Sequence, residues 1–167
     1  MSDNSLGTVS RTGDTFEIVF ERTIAKPIEK VWAALSVPER IADWLGIVDL
    51  DPKLGGHYRL KFSTDDPGMV GEIIAFEPPR LLAHTWPDPD HPSGIVRYEL
   101  EPNGAGCRLR LVNSGLPGKY ARSIAGWHVF LDAIPGATEG VATVWSMALE
   151  EEILELYKSQ LAAVGAV

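Results

Sequence analysis

The chain has 167 residues, 45% of them hydrophobic and 23% charged, with a formal net charge of −8 and one cysteine, Cys107. That length and balance suit one globular domain and argue against disorder. A single cysteine makes neither an internal disulfide nor a zinc site, so a cross-linked secreted scaffold is not expected, and the acidic excess disfavours a nucleic-acid partner, because phosphate binding needs clustered Lys and Arg.

Residues 1–14 are polar. They carry no basic region followed by an apolar run, so no signal peptide is expected, and the expected location is cytoplasmic. They are expected as a flexible tail, with 15–167 forming a single domain. No stretch reaches the ~18 apolar residues of a membrane span. The first strand is predicted from Phe16 to Thr23, where Phe16, Ile18 and Phe20 share one face and Glu17, Val19 and Glu21 the other. Pro27 then sits where a helix starts without needing its missing N–H. Ile28, Val31, Trp32 and Leu35 follow at helical spacing. A second short helix is expected from Pro38 to Leu45.

The period then returns to two. Gly55-Gly56 turns into a strand with Tyr58, Leu60 and Phe62 on one face and His57, Arg59 and Lys61 on the other. Met69 to Glu77 and Leu81 to Trp86 are read as strands, each ended by proline. In the next strand Val96, Tyr98 and Leu100 alternate with charged residues, and Asn103-Gly104-Ala105-Gly106 forms a hairpin turn into Cys107, Leu109 and Leu111. From Lys119 the spacing becomes helical, with Tyr120, Ile124, Trp127, Leu131 and Ile134 on one stripe. Pro135-Gly136 is expected to break or kink this helix. A final helix is expected over roughly Glu139 to Val164. Consecutive strands with short connections favour an antiparallel meander, and the helix around Trp127 is the element long enough to cover its apolar face.

Five segments resemble one known superfamily: Arg22 to Leu35; Pro38-Glu39-Arg40 leading to Trp44-Leu45; Gly55-Gly56 before a strand; Gly71 to Leu81 running to Thr85-Trp86; and Gly126-Trp127 with Leu131-Asp132. They resemble the START-related, helix-grip (SRPBCC) superfamily, in the branch of the C-terminal domain of the activator of the heat-shock-protein-90 ATPase. The resemblance implies an α+β helix-grip fold. Its parts are a curved antiparallel β-sheet of about six to seven strands wrapped around a long C-terminal helix, two short helices after the first strand, and an extra C-terminal helix here. Ile134-Pro135-Gly136 and that extra helix depart from the family pattern.

In such a fold the space between sheet and helix can hold an apolar ligand. The residues expected to line it are Trp44, Tyr58, Leu60, Phe62, Glu72, Ile74, His84, Trp86, Tyr98, Leu109, Trp127, Phe130 and Leu131. For any single aromatic or aliphatic member packed core is the simpler reading, and it is the set together that points to a cavity. Glu72, between Val70 and Ile74, would have a raised pKa if it faced inward, whereas a one-residue register shift would put it in solvent. His84 is read as a general base or, more simply, a structural histidine. His128 and Asp132, at i and i+4, are placed to meet.

The histidines show no metal spacing, no nucleophile elbow or phosphate loop occurs, and no cofactor, metal or catalytic residue is assigned. The expected function is binding of a small hydrophobic or amphipathic molecule. Two other readings are a cyclase- or dehydratase-like cavity enzyme using two or more of Glu72, His84, Arg97, His128 and Asp132, and a co-chaperone whose partner is an ATP-dependent chaperone. Monomer and homodimer both stay open, since Val144, Leu149, Ile153 and Leu156 pack either on the domain or on a second copy.

Overall fold

The computed structural model describes residues 6–87 and 94–166. The elements run β1 (Thr8–Thr12), β2 (Thr15–Ile24), α1 (Ile28–Ser36), α2 (Pro38–Ile41), β3 (Ile47–Leu50), β4 (His57–Lys61), β5 (Met69–Glu77), β6 (Leu81–Thr85), β7 (Ile95–Asn103), β8 (Gly106–Leu116), a 3-10 turn (Gly118–Ser123), α3 (Ile124–Ala137) and α4 (Met147–Ala163). Eight strands form a curved antiparallel sheet in the order β1-β2-β8-β7-β6-β5-β4-β3. Thus β3 to β8 are a meander, and β2 closes on its last strand. This is the α+β helix-grip arrangement, with α3 held against the concave face. Among the described residues, no helix is long and apolar enough to cross a membrane.

The period-two reading holds across the centre of the sheet. Phe16, Ile18 and Phe20 of β2, Val96, Tyr98 and Leu100 of β7, and Cys107, Leu109 and Leu111 of β8 are all buried. Register matches these faces: Phe20 lies opposite Leu111, and Tyr98 opposite Leu111 from the other side. A one-residue slip would expose every one of these side chains, so burial fixes the pairing. α3 is buried nearly all round, from Ile124 through Val129 and again at Leu131, Ala133, Ile134 and Ala137. That is the profile of a helix covered on both sides, by the sheet and by α1 and α4.

Four features differ from expectation. Thr8–Thr12, placed in the tail by the sequence, is an edge strand whose Val9 pairs with Ile18. It has one buried apolar side chain, too few to register as alternation; β2 supplies its backbone partners. β3 also escaped the sequence reading, because only Val48 of its four residues is buried. α3 starts at Ile124, after the 3-10 turn, and continues through Pro135 to Ala137. A proline that close to a C-terminus removes one of the last helical bonds and no more. Finally, α4 begins at Met147, where the Ser146 hydroxyl oxygen accepts a bond from the Leu149 N–H, a side-chain cap.

The extra helix holds the fold's N-terminal edge. The Tyr157 hydroxyl of α4 accepts from the Gly7 N–H at 3.0 Å and shares a 2.7 Å bond with His128 Nδ1 of α3. Gln160 accepts from the Val9 N–H and donates to the Gly7 carbonyl. Behind His128, Asp132 lies 3.5 Å from Nε2 and is paired with Arg22 of β2. Burial alone would raise the Asp132 carboxyl, but bonds from His128 and Arg22 outweigh it and hold it below the usual carboxylate value. The expected meeting of His128 and Asp132 therefore occurs, inside a structural joint. Tyr157→Phe keeps the ring and strands two buried polar groups. It is expected to cost about 1–3 kcal/mol in urea unfolding, with faster amide exchange at Gly7 and Val9. Unchanged stability and exchange would show that α4 does not hold β1.

Candidate functional site

The cavity lies between the concave face of the sheet and α3, and has a volume of about 780 Å³. β4 and its exit supply Leu60 and Phe62; β5 supplies Met69; the end of β6 leads to Trp86; β8 supplies Asn113 and Leu116; α3 supplies Gly126, Trp127 and Phe130; and the chain after α3 brings Trp145 and Glu150 to the opening. The walls are mainly aromatic. Trp86 meets Trp127 edge-on at 5.8 Å, Trp127 meets Phe130 edge-on at 6.2 Å, and Phe62 stacks on Phe130 at 6.2 Å. Rings locked against one another in this way cannot collapse to fill the gap between them.

Of the residues expected to line the space, Leu60, Phe62, Trp86, Trp127 and Phe130 are on the wall. Phe62 lies just beyond β4 and is 56% exposed, because the strand's alternation has ended there. Trp44, Tyr58, His84, Tyr98, Leu109 and Leu131 are instead buried in the core. Trp44 donates its indole N–H to the Ala34 carbonyl at 2.7 Å. Tyr58 lies flat on His84, centroids 3.8 Å apart. These side chains form the layer on which the cavity wall rests.

Glu72 and Ile74 are corrected. Both are exposed on the outer face of β5, while Gly71 and Ile73 face inward. The alternation was read properly but assigned to the wrong side. Gly71 has no side chain to advertise the buried face, and a Cβ there would come within 2.1 Å of the Thr85 carbonyl oxygen. Residues the sequence reading missed include Leu45, Asp66, Met69, Asn113, Leu116, Tyr120, Trp145 and Glu150. Asn113 had a signal: it continues the inward parity of Cys107, Leu109 and Leu111. Trp145 and Glu150 had none, since they reach the cavity only through the fold-back of α4.

Polar chemistry at the wall is sparse. Asn113 accepts the Trp127 indole N–H at 3.0 Å and donates to the Ile95 carbonyl at 3.0 Å, so it fixes the tryptophan to the sheet. Asp66 accepts the Phe62 and Gly68 N–H groups, each at 2.8 Å, and the Phe62 bond leads in holding its carboxyl below the usual value. His84 lies behind the wall. Burial drives its pKa down to about 4 against a smaller opposing effect of its Nδ1 bond to the Thr85 carbonyl, so it is neutral at pH 7. Burial likewise pushes up the Tyr58 and Tyr98 hydroxyls and the Cys107 thiol. Glu72, Arg97 and Asp132 are away from the cavity, as are His84 and His128, so the five side chains considered for acid–base chemistry do not converge on it. Among the described residues, no group of three His, Cys, Asp or Glu is placed to hold a metal ion.

A curved meander gripping a C-terminal helix, with an aromatic-walled cavity between them, defines a helix-grip protein. The model of the family described as Activator of Hsp90 ATPase homolog 1-like protein matches residues 25–139, and the chain belongs to that family. Among solved structures it is similar to CalU16 from Micromonospora echinospora (22% identity, 93% of this chain and 96% of that one, TM-score 0.74). It is also similar to MLL2253 from Mesorhizobium loti (28% identity, 74% and 96%, TM-score 0.66) and to the protein encoded by BPP1335 of Bordetella parapertussis (26% identity, 96% and 96%, TM-score 0.67). No curated protein matches the chain. Trp145 and Glu150 fall outside the span the family model matches.

Proposed function

We propose that the protein binds a small apolar or amphipathic molecule in the cavity between the sheet and α3. The observation that carries this reading is a space of about 780 Å³ walled by Trp86, Trp127, Phe62 and Phe130. That volume falls in the range of pockets that enclose drug-sized ligands, roughly 300–1,000 Å³. Burying rings and alkyl groups there would gain about 25 cal/mol per Å² of apolar surface removed from water. The side chains in direct contact would be Leu60, Phe62, Trp86, Trp127 and Phe130. Selection among ligands would rest on shape, with Asn113 and Glu150 as the polar contacts.

A neutral polycyclic alcohol, 1-pyrenemethanol, tests the reading. It is expected to bind in a 1:1 complex seen by native mass spectrometry and to quench tryptophan fluorescence, since Trp86, Trp127 and Trp145 all border the cavity. Met69→Trp, which fills the space from the β5 side, is expected to abolish binding while leaving the melting temperature near that of the parent. Absence of a complex with the parent protein, or undiminished binding to the filled variant, would overturn the proposal.

A further inference from the structure

We infer that the cavity's ligand carries a protonated amine on its apolar body, and that Glu150 and Trp145 receive this amine at the opening. The inference rests on the cavity being a ligand site, as proposed above, and names the chemical class it takes.

The first observation is the sign of charge on the wall. Its ionic side chains are Asp66 and Glu150, and among the described residues no Lys, Arg or His borders it. An apolar acid such as a fatty acid would carry its carboxylate toward two others, with no cation among the described lining residues to meet it, an arrangement that costs free energy as water is displaced. A protonated amine in the same place gains from both.

The second observation is how Glu150 is held. Its Oε2 accepts the Trp145 indole N–H at 2.9 Å, and no described residue bonds Oε1. The carboxyl lies over Gly126 of α3, with its carbon 3.7 Å from where a glycine Cβ would sit. The carboxylate thus leans on α3 within contact distance of the cavity wall. Glu150 is also in the first turn of α4, where the helix dipole favours negative charge. One oxygen is therefore anchored and the other is left for a donor. Trp145 is 46% exposed and borders the opening, so its ring face is open to a cation as well. Asp66 has both oxygens engaged by backbone N–H groups and contributes charge rather than a direct contact.

The test compares three probes sharing one ring system at pH 7: 1-pyrenemethylamine, 1-pyrenemethanol and 1-pyrenecarboxylate. The parent is expected to bind the amine at least about ten-fold more tightly than the carboxylate, on the scale of one desolvated charge contact. In Glu150→Gln that ratio is expected to fall to within about three-fold. Glu151→Gln removes the same charge from an exposed position of the same helix, so it should keep the preference and thereby exclude a general effect of net charge. Trp145→Leu should weaken amine binding more than alcohol binding, and gives a second reading should Glu150→Gln fail to fold. A parent that binds the carboxylate as well as the amine, or a preference that survives Glu150→Gln, overturns this inference alone. Failure of all three probes to bind overturns the cavity reading and this inference with it.

Discussion

Replacing Trp127 with alanine is expected to destabilise the protein by about 3–5 kcal/mol, the cost typical of deleting a large buried aromatic side chain. Trp127 is 4% exposed although it borders the cavity. Its ring packs edge-on against Trp86, Tyr98 and Phe130 at 5.8 to 6.3 Å. Its indole N–H satisfies the buried oxygen of Asn113, whose amide in turn holds the Ile95 carbonyl of β7. Truncation therefore deletes packing on three sides and strands a buried acceptor, itself worth about 1–3 kcal/mol. Because the new void joins an existing space, water can enter it, and the cost should fall toward the lower end of the range. Trp127→Phe separates the contributions. It keeps most of the packing and loses the hydrogen bond, so about 1–3 kcal/mol is expected. Urea unfolding followed by circular dichroism measures both. A cost under about 1 kcal/mol for the alanine variant would mean that Trp127 is a cavity liner and not the anchor of α3.

The parts of this molecule that were legible in the sequence are those where burial alternates cleanly. Phe16-Ile18-Phe20 and Val96-Tyr98-Leu100 are buried while the residues between them are only half-buried, so residue type and position carry the same message. The Trp127 helix, buried nearly all round, was legible from the helical spacing of its large apolar side chains. The edge elements were not, because β1 and β3 bury a single side chain each and are held mainly by backbone pairing to the next strand, β2 and β4. At the site the loss is different in kind. A side chain on the cavity wall and one in the layer beneath it are both apolar and inward-facing. Leu60 and Tyr58, two positions apart on β4, read identically, yet one borders the space and the other is covered by His84. That distinction depends on how far the sheet curves from α3, which no local spacing encodes. The mouth was less legible still. Glu150 belongs to a run of three acidic residues that looks like a solvated helix face, and only the return of α4 over Gly126 turns one of the three toward the cavity.

His84 gives the layer beneath the wall a pH dependence. Its ring is fully buried between Tyr58, Tyr98 and Trp86, and its Nδ1–H donates to the Thr85 carbonyl at 3.0 Å. Burial, opposed in part by that bond, lowers its pKa from 6.5 to about 4. Above pH 6.5 folded and unfolded chains both hold the imidazole neutral, and its contribution to stability is fully present. Between pH 6.5 and about 4 the unfolded chain takes up a proton that the folded one refuses, so stability falls as pH falls. A shift of that size corresponds to about 3 kcal/mol lost across the window, most of it below pH 6. Asp66, Asp132 and Glu139, whose carboxyls are also held low, lose their contribution in the same direction but only below their ordinary values of 3.8 to 4.5. Unfolding free energies between pH 7.5 and 5 therefore isolate the histidine. His84→Phe preserves a ring for Tyr58 to stack on and removes the titration. It is expected to be less stable at pH 7.5, having lost the bond to Thr85, yet to show a flatter slope toward pH 5. Parallel slopes for parent and variant would mean that His84 meets water in the folded protein, and that the layer supporting the cavity is looser than its packing indicates.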